Sequence, residues 1–119
     1  MARWIEAGGD HQVPFMAAAS RAARGQLGRC PACSKGDLRC YFHAFKPAQH
    51  QGTVWLWCGA CHTSARLARV QPTGNMPVDP FASLTTEQFT ELETAGQPFL
   101  DRLEQLWVDG TLALPTTTS

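Results

Sequence analysis

Two Cys-x-x-Cys pairs, at 30–33 (CPAC) and 58–61 (CGAC), stand twenty-four residues apart in a chain of 119 residues. Few sequence features limit a fold so tightly. Two residues between cysteines allow a tight turn that points both sulfurs at one ion, and a second such turn completes a tetrahedron of soft ligands. Amides within each turn can hydrogen-bond the sulfurs and offset part of their charge. Pro31 fixes φ inside the first turn, while Gly36 and Gly59 read as positions where an unusual backbone angle is easily tolerated. Cys30, Cys33, Cys58 and Cys61 are therefore expected to bind one structural zinc ion. Iron uses the same four-thiolate geometry and is the less favoured metal.

A catalytic zinc needs an open fourth position, and four thiolates leave none. A redox Cys-x-x-Cys needs a thioredoxin-like βαβ context, which is missing here. Cys40 shares a predicted strand face with Leu38 and Phe42 and reads as a buried, inert thiol. His11, His43, His50 and His62 read as non-ligands.

Between the two cysteine pairs the pattern is that of strands. Residues 37–45 alternate, with Leu38, Cys40, Phe42 and Ala44 on one face and Arg39, Tyr41, His43 and Phe45 on the other. Residues 46–52 read as a turn or loop, 53–57 (TVWLW) as a β-branched and aromatic strand, and 64–70 as a third, less cleanly alternating one. With the cysteine turns added, residues 27–70 resemble a zinc ribbon. That resemblance implies a small antiparallel sheet around a closed metal site. It implies no single activity, because ribbons serve many kinds of protein.

The flanks predict helices. In residues 1–25, Pro14 can occupy a first helical turn and Gly25 can close the helix, with Phe15, Met16, Ala19, Ala22 and Ala23 forming the face that packs on the ribbon. Residues 71–83 hold Pro72, Gly74, Pro77 and Pro80 and read as a linker. Residues 84–110 predict a helical hairpin. Thr85 and Gln88 form a capping box, Gly96 ends the first helix and Pro98 opens the second, whose stripe is Phe99, Leu100, Leu103, Leu106 and Trp107. Residues 111–119 read as a flexible tail. The fold class is α+β: a ribbon at 26–70 between an N-terminal helix and a C-terminal hairpin.

Function is less constrained. No nucleophile–base pairing, phosphate loop or zinc-protease motif is present, so an enzyme is not expected. No run approaches the roughly 20 apolar residues of a membrane span, and the N-terminus lacks the basic start of a signal peptide, so the expected location is the cytoplasm. The net charge of zero conceals an asymmetry. Residues 1–70 carry nine basic and three acidic side chains, whereas residues 71–119 carry one basic and seven acidic. The two halves either face different partners or attract one another. Arg39, Tyr41, His43, Phe45, Trp55, Trp57, Arg66 and Arg69 form a candidate binding surface of rings and cations, suited to nucleic acid if exposed. The alternative is that those rings pack beneath the flanking helices. Glu87, Glu91, Asp101 and Glu104 form a candidate acidic surface for a protein partner. The leading expectation is a non-catalytic protein-binding module, of inhibitor, immunity or accessory type. The alternative is a nucleic-acid-binding regulator.

Overall fold

A computed structural model describes residues 4–46, 51–70 and 79–112; the side chains of 44–46, 51 and 68–70 fall outside that description. The loop at 47–50, the linker at 71–78, the tail from 113 and His50 therefore also lie outside the described residues, as do the side chains of Phe45 and Arg69.

The strands are β1 (Ile5–Glu6), β2 (Leu38–Lys46), β3 (Gln51–Cys58) and β4 (Thr63–Val70). They form one sheet in the order β1-β4-β3-β2. Strands β2, β3 and β4 pair antiparallel, in a register that sets Leu38 opposite Cys58 and Leu56 opposite Ala65. Strand β1 was not foreseen: it pairs parallel to β4, Ile5 with Thr63 and Glu6 with Ser64. Two residues are too few for a periodic signal, and only the return of the chain past the second cysteine turn creates the pairing.

The helices are α1 (Gln12–Ala23), α2 (Thr86–Thr94) and α3 (Gln97–Val108). Helix α1 ends as Gly25 predicts. Gly25 adopts φ 79°, its N–H bonds to the Ala22 carbonyl, and the Gln26 N–H bonds to that of Arg21, closing a Schellman motif. The buried face of α1 is Phe15, Ala18, Ala19, Ala22 and Ala23. Met16, expected in that face, is instead exposed. Helix α2 carries both halves of the Thr85–Gln88 capping box, and Gly96, at φ 71°, turns the chain into α3.

The alternation of β2 and β3 produces two cores, one on each face of the sheet. Leu38, Cys40, Phe42, Val54 and Leu56 join Phe15 and the alanines of α1. The small alanines let the helix backbone approach the sheet closely. Tyr41, Trp55 and Trp57 join Phe81, Phe89, Phe99, Leu103 and Leu106 on the other face. Trp55 and Phe99 meet edge-on with ring centroids 5.5 Å apart, and Tyr41 meets Phe81 the same way at 5.5 Å. One sheet face is thus mostly aliphatic with Phe42 under α1, and the other is mainly aromatic under α2 and α3.

Candidate metal centre

The two cysteine turns are built alike. In the first, the Ser34 N–H donates to the Cys30 carbonyl at 2.9 Å; in the second, the His62 N–H donates to the Cys58 carbonyl at 3.0 Å. Within each, an amide reaches back to the first sulfur: Ala32 N–H to Cys30 Sγ and Ala60 N–H to Cys58 Sγ, both at 3.3 Å. The residue after each second cysteine adopts a left-handed conformation, Ser34 at φ 59° and His62 at φ 58°. These are the positive angles of the two turns, and neither falls on a glycine. Gly36 and Gly59 sit instead where space is short. A Cβ on Gly36 would stand 3.0 Å from Cys58 Sγ and 3.0 Å from Ala60 Cβ. One on Gly59 would stand 2.9 Å from the Glu104 carboxylate and 3.0 Å from the Arg39 guanidinium.

Strand pairing brings the two turns together. Cys58 ends β3 opposite Leu38, and the bridge between Arg29 and Asp37 holds the first turn against it. The four Sγ atoms lie within 4.8 Å of one another. Cys30 Sγ is 3.6 Å from Cys61 Sγ, and Cys33 Sγ is 3.7 Å from Cys58 Sγ. A tetrahedron with sulfurs about 2.3 Å from a central ion has edges of about 3.8 Å, whereas a disulfide needs about 2.05 Å. The sulfurs are therefore spaced for four bonds to one ion rather than for bonds to each other.

The surroundings of the four sulfurs are unlike. Burial pushes the Cys30 thiol up to about 12 in the metal-free chain, and burial raises Cys58 as well. The backbone amides of Lys35 and Gly36 instead pull Cys33 down to about 6. A divalent cation would remove the cost of charging the buried pair, since metal binding and deprotonation are linked. Thr63 Oγ1 lies 3.3 Å from Cys61 Sγ and can donate to it once the sulfur is a thiolate. Four sulfurs at this spacing would fill every coordination position of one tetrahedral ion. Cys40 is fully buried in the α1-side core and stands outside the cluster, and burial pushes its thiol up to about 12. Among the described residues, no histidine joins the cluster.

Most of the remaining candidate residues whose side chains are described are engaged within the chain. Tyr41, Trp55 and Trp57 are covered by α2, α3 and the turn before them, with Trp57 at 0% exposure, so they offer no open stacking face. Arg39 pairs with Glu104, whose other oxygen accepts from Trp57 Nε1 at 2.9 Å. Arg66 pairs with Glu93 and lies over the Trp55 ring. His43 stacks on Phe89 with ring centroids 3.8 Å apart, and its Nδ1 meets Asp79 at 2.7 Å. Of the acidic candidates, Asp101 accepts from Trp4 Nε1 at 2.8 Å and Glu104 is spent as above, while Glu87 and Glu91 are exposed. Asp79 and Glu93 are the acidic residues that sequence reasoning missed as contact-makers. The charge asymmetry between the halves was their signal, but it names no pairs. No protein-family model, curated protein or solved structure matches this chain.

Proposed function

We propose that this protein is a non-catalytic protein-binding module, with a structural zinc ion held by Cys30, Cys33, Cys58 and Cys61. Four thiolates at tetrahedral spacing favour zinc over harder cations, and a closed coordination sphere leaves no place for substrate. The zinc sets the sheet; it performs no reaction. Of the chemistry read from the sequence, only the surfaces remain for function.

The observation that carries the reading is the burial of Tyr41, Trp55 and Trp57 together with the ion pairs of Arg39 and Arg66. The rings and two of the cations that would bind single-stranded nucleic acid are used in holding α2 and α3 to the sheet. A small domain of this build, closed around a metal and carrying exposed Glu87 and Glu91, suits an inhibitor, immunity-type or accessory protein that caps its target by charge complementarity. Cysteines kept reduced as metal ligands suit a reducing compartment such as the cytoplasm.

Two measurements test the reading. Affinity purification of the zinc-loaded chain from its native cells should recover a protein at stoichiometric amount. Fluorescence anisotropy with single-stranded DNA and RNA at low salt should show no saturable binding. Salt-sensitive nucleic-acid binding with no protein partner would replace this reading with the regulator alternative.

A further inference from the structure

Strand β1 covers only the start of β4. Ala7 N–H donates to the Ser64 carbonyl at 2.6 Å, which places the polar groups of Ser64 on the side away from β3. Two residues on, Arg66 directs its N–H and C=O the same way. By then the chain has left the sheet through Gly8 and Gly9 toward α1. Among the described residues no other strand lies on that side of β4.

A cavity flanks this edge on each face of the sheet. One of about 320 Å³, on the α2–α3 side, is walled by Trp55, Phe99 and Leu100. The other, of about 160 Å³, lies on the α1 side and is walled by Phe15, Met16 and Leu67. Glu6, Ala65 and Arg66 line both. Successive side chains of a strand point to opposite faces, so a strand laid beside Arg66 would send one side chain into each cavity. Charge adds a preference. Arg66 is neutralised by Glu93, whereas the exposed Glu6 carboxylate has no ion-pair partner among the described residues. On the α1 side the apolar lining continues outward through Met16 and, one turn earlier, Val13, which is 73% exposed.

We propose that the β4 edge at Arg66 is the docking site for an extended segment of the partner protein. The segment adds as a strand, with an apolar side chain in the α1-side cavity and the next, cationic side chain in the larger one beside Glu6. This rests on the protein-binding reading above and names the surface and the partner chemistry. The open edge is short, because the β3–β4 register shifts between Leu67 and Val70. A two-fold copy of the chain would therefore pair about Arg66 and set Arg66 against Arg66, an unfavourable like-charge contact. A different protein meets no such conflict.

The probe is a capped, threonine-rich seven-residue peptide with Lys and Val adjacent at its centre, compared with the same peptide carrying Glu for Lys. Each is titrated into the zinc-loaded, full-length, isotope-labelled chain and followed by amide shifts and hydrogen exchange. The Arg66 amide should shift and gain about tenfold protection, and the Lys peptide should bind about threefold more tightly than the Glu peptide. E6K should reverse that order without changing the thermal melt, and M16D should weaken both peptides. Silence at Arg66 at millimolar peptide overturns the proposal. So does protection of Arg66 in the free chain, by a second copy if it depends on concentration and by the chain itself if it does not. A purified partner that protects another surface removes this docking site alone, whereas failure to recover any protein partner removes the function on which it rests.

Discussion

At the residue scale, the two cysteine turns divide their work between sulfur and space. Cys58→Ser removes one of four ligands and leaves a divalent ion with an incomplete tetrahedron. Structural zinc supplies on the order of 10 kcal/mol of apparent binding energy, so the variant should lose both metal and the folded sheet, read by elemental analysis and far-UV dichroism. Cys40→Ala, outside the cluster, should keep one zinc per chain and cost only about 1 kcal/mol as a small core deletion. The glycines discriminate further. Gly36→Ala would press a methyl group on Cys58 Sγ, and a sulfur committed to a metal has little freedom to move. Its zinc affinity should fall by about tenfold in a competition titration with a chromogenic chelator. Gly59→Ala would press instead on Glu104 and Arg39, the far ends of flexible side chains. It should leave zinc affinity near that of the parent and lower stability by about 1 kcal/mol as the Arg39–Glu104–Trp57 contact loosens.

At the scale of elements, the question is what fastens α2 and the turn before it to the sheet. Asp79 accepts from Tyr41 Oη at 2.6 Å and from the Phe81 amide at 2.8 Å, and it meets His43 Nδ1 at 2.7 Å. Burial alone would raise its carboxyl, but these hydrogen bonds outweigh burial and hold it below its ordinary value of 3.8. Burial, reinforced by Asp79, pushes the Tyr41 hydroxyl far upward, so it remains a donor. The sign follows for stability. A carboxylate whose folded pKa is depressed contributes fully above its unfolded value, and that contribution is lost as pH falls through the lower folded value. Thermal melts of the parent and of Asp79→Asn should therefore differ most at pH above the ordinary carboxylate value and converge as pH falls through the lower folded value, with the parent more stable at the higher pH. A gap that widens in acid would contradict this linkage.

At the scale of the whole molecule, one sheet serves two cores and the four-cysteine cluster. Cys30 and Cys58 belong to the α1-side core, while Trp57, one residue from Cys58, belongs to the aromatic core. Gly59 in the second cysteine turn lies against Glu104 of α3 and its partner Arg39. Loss of the ion should therefore reach both faces together. On titration with a strong zinc chelator, far-UV dichroism and tryptophan fluorescence should change in one coincident transition, because Trp4, Trp55 and Trp57 lie in the aromatic core and Trp107 packs against it. Two separated transitions would mean that the aromatic core survives without the metal. The opposite charges of the two halves act in the same direction. Arg39–Glu104 and Arg66–Glu93 each join the sheet to the C-terminal segment, so this part of the asymmetry is met inside the molecule.

The four clustered cysteines, the alternation of β2, the Thr85–Gln88 cap and the Gly25 and Gly96 helix ends were all legible from the chain alone. Each depends on neighbours a few residues away, or on ligand spacing that admits few geometries. What the alternating faces contact was not legible in that way. Tyr41, Trp55 and Trp57 have the same sequence pattern whether they stack on bases or on Phe89 and Phe99, and only the placement of α2 and α3 over the sheet decides between them. The same holds for Met16 on α1, where the direction of approach to the sheet selects Ala18 for burial and leaves Met16 outside. The parallel pairing of β1 is likewise tertiary. The sequence by itself determined a four-sulfur site and the elements around it, because turns, caps and alternation are local physics. Which rings are buried, which charges are paired and which strand edge stays open were decided only when segments distant in the chain came to share one sheet.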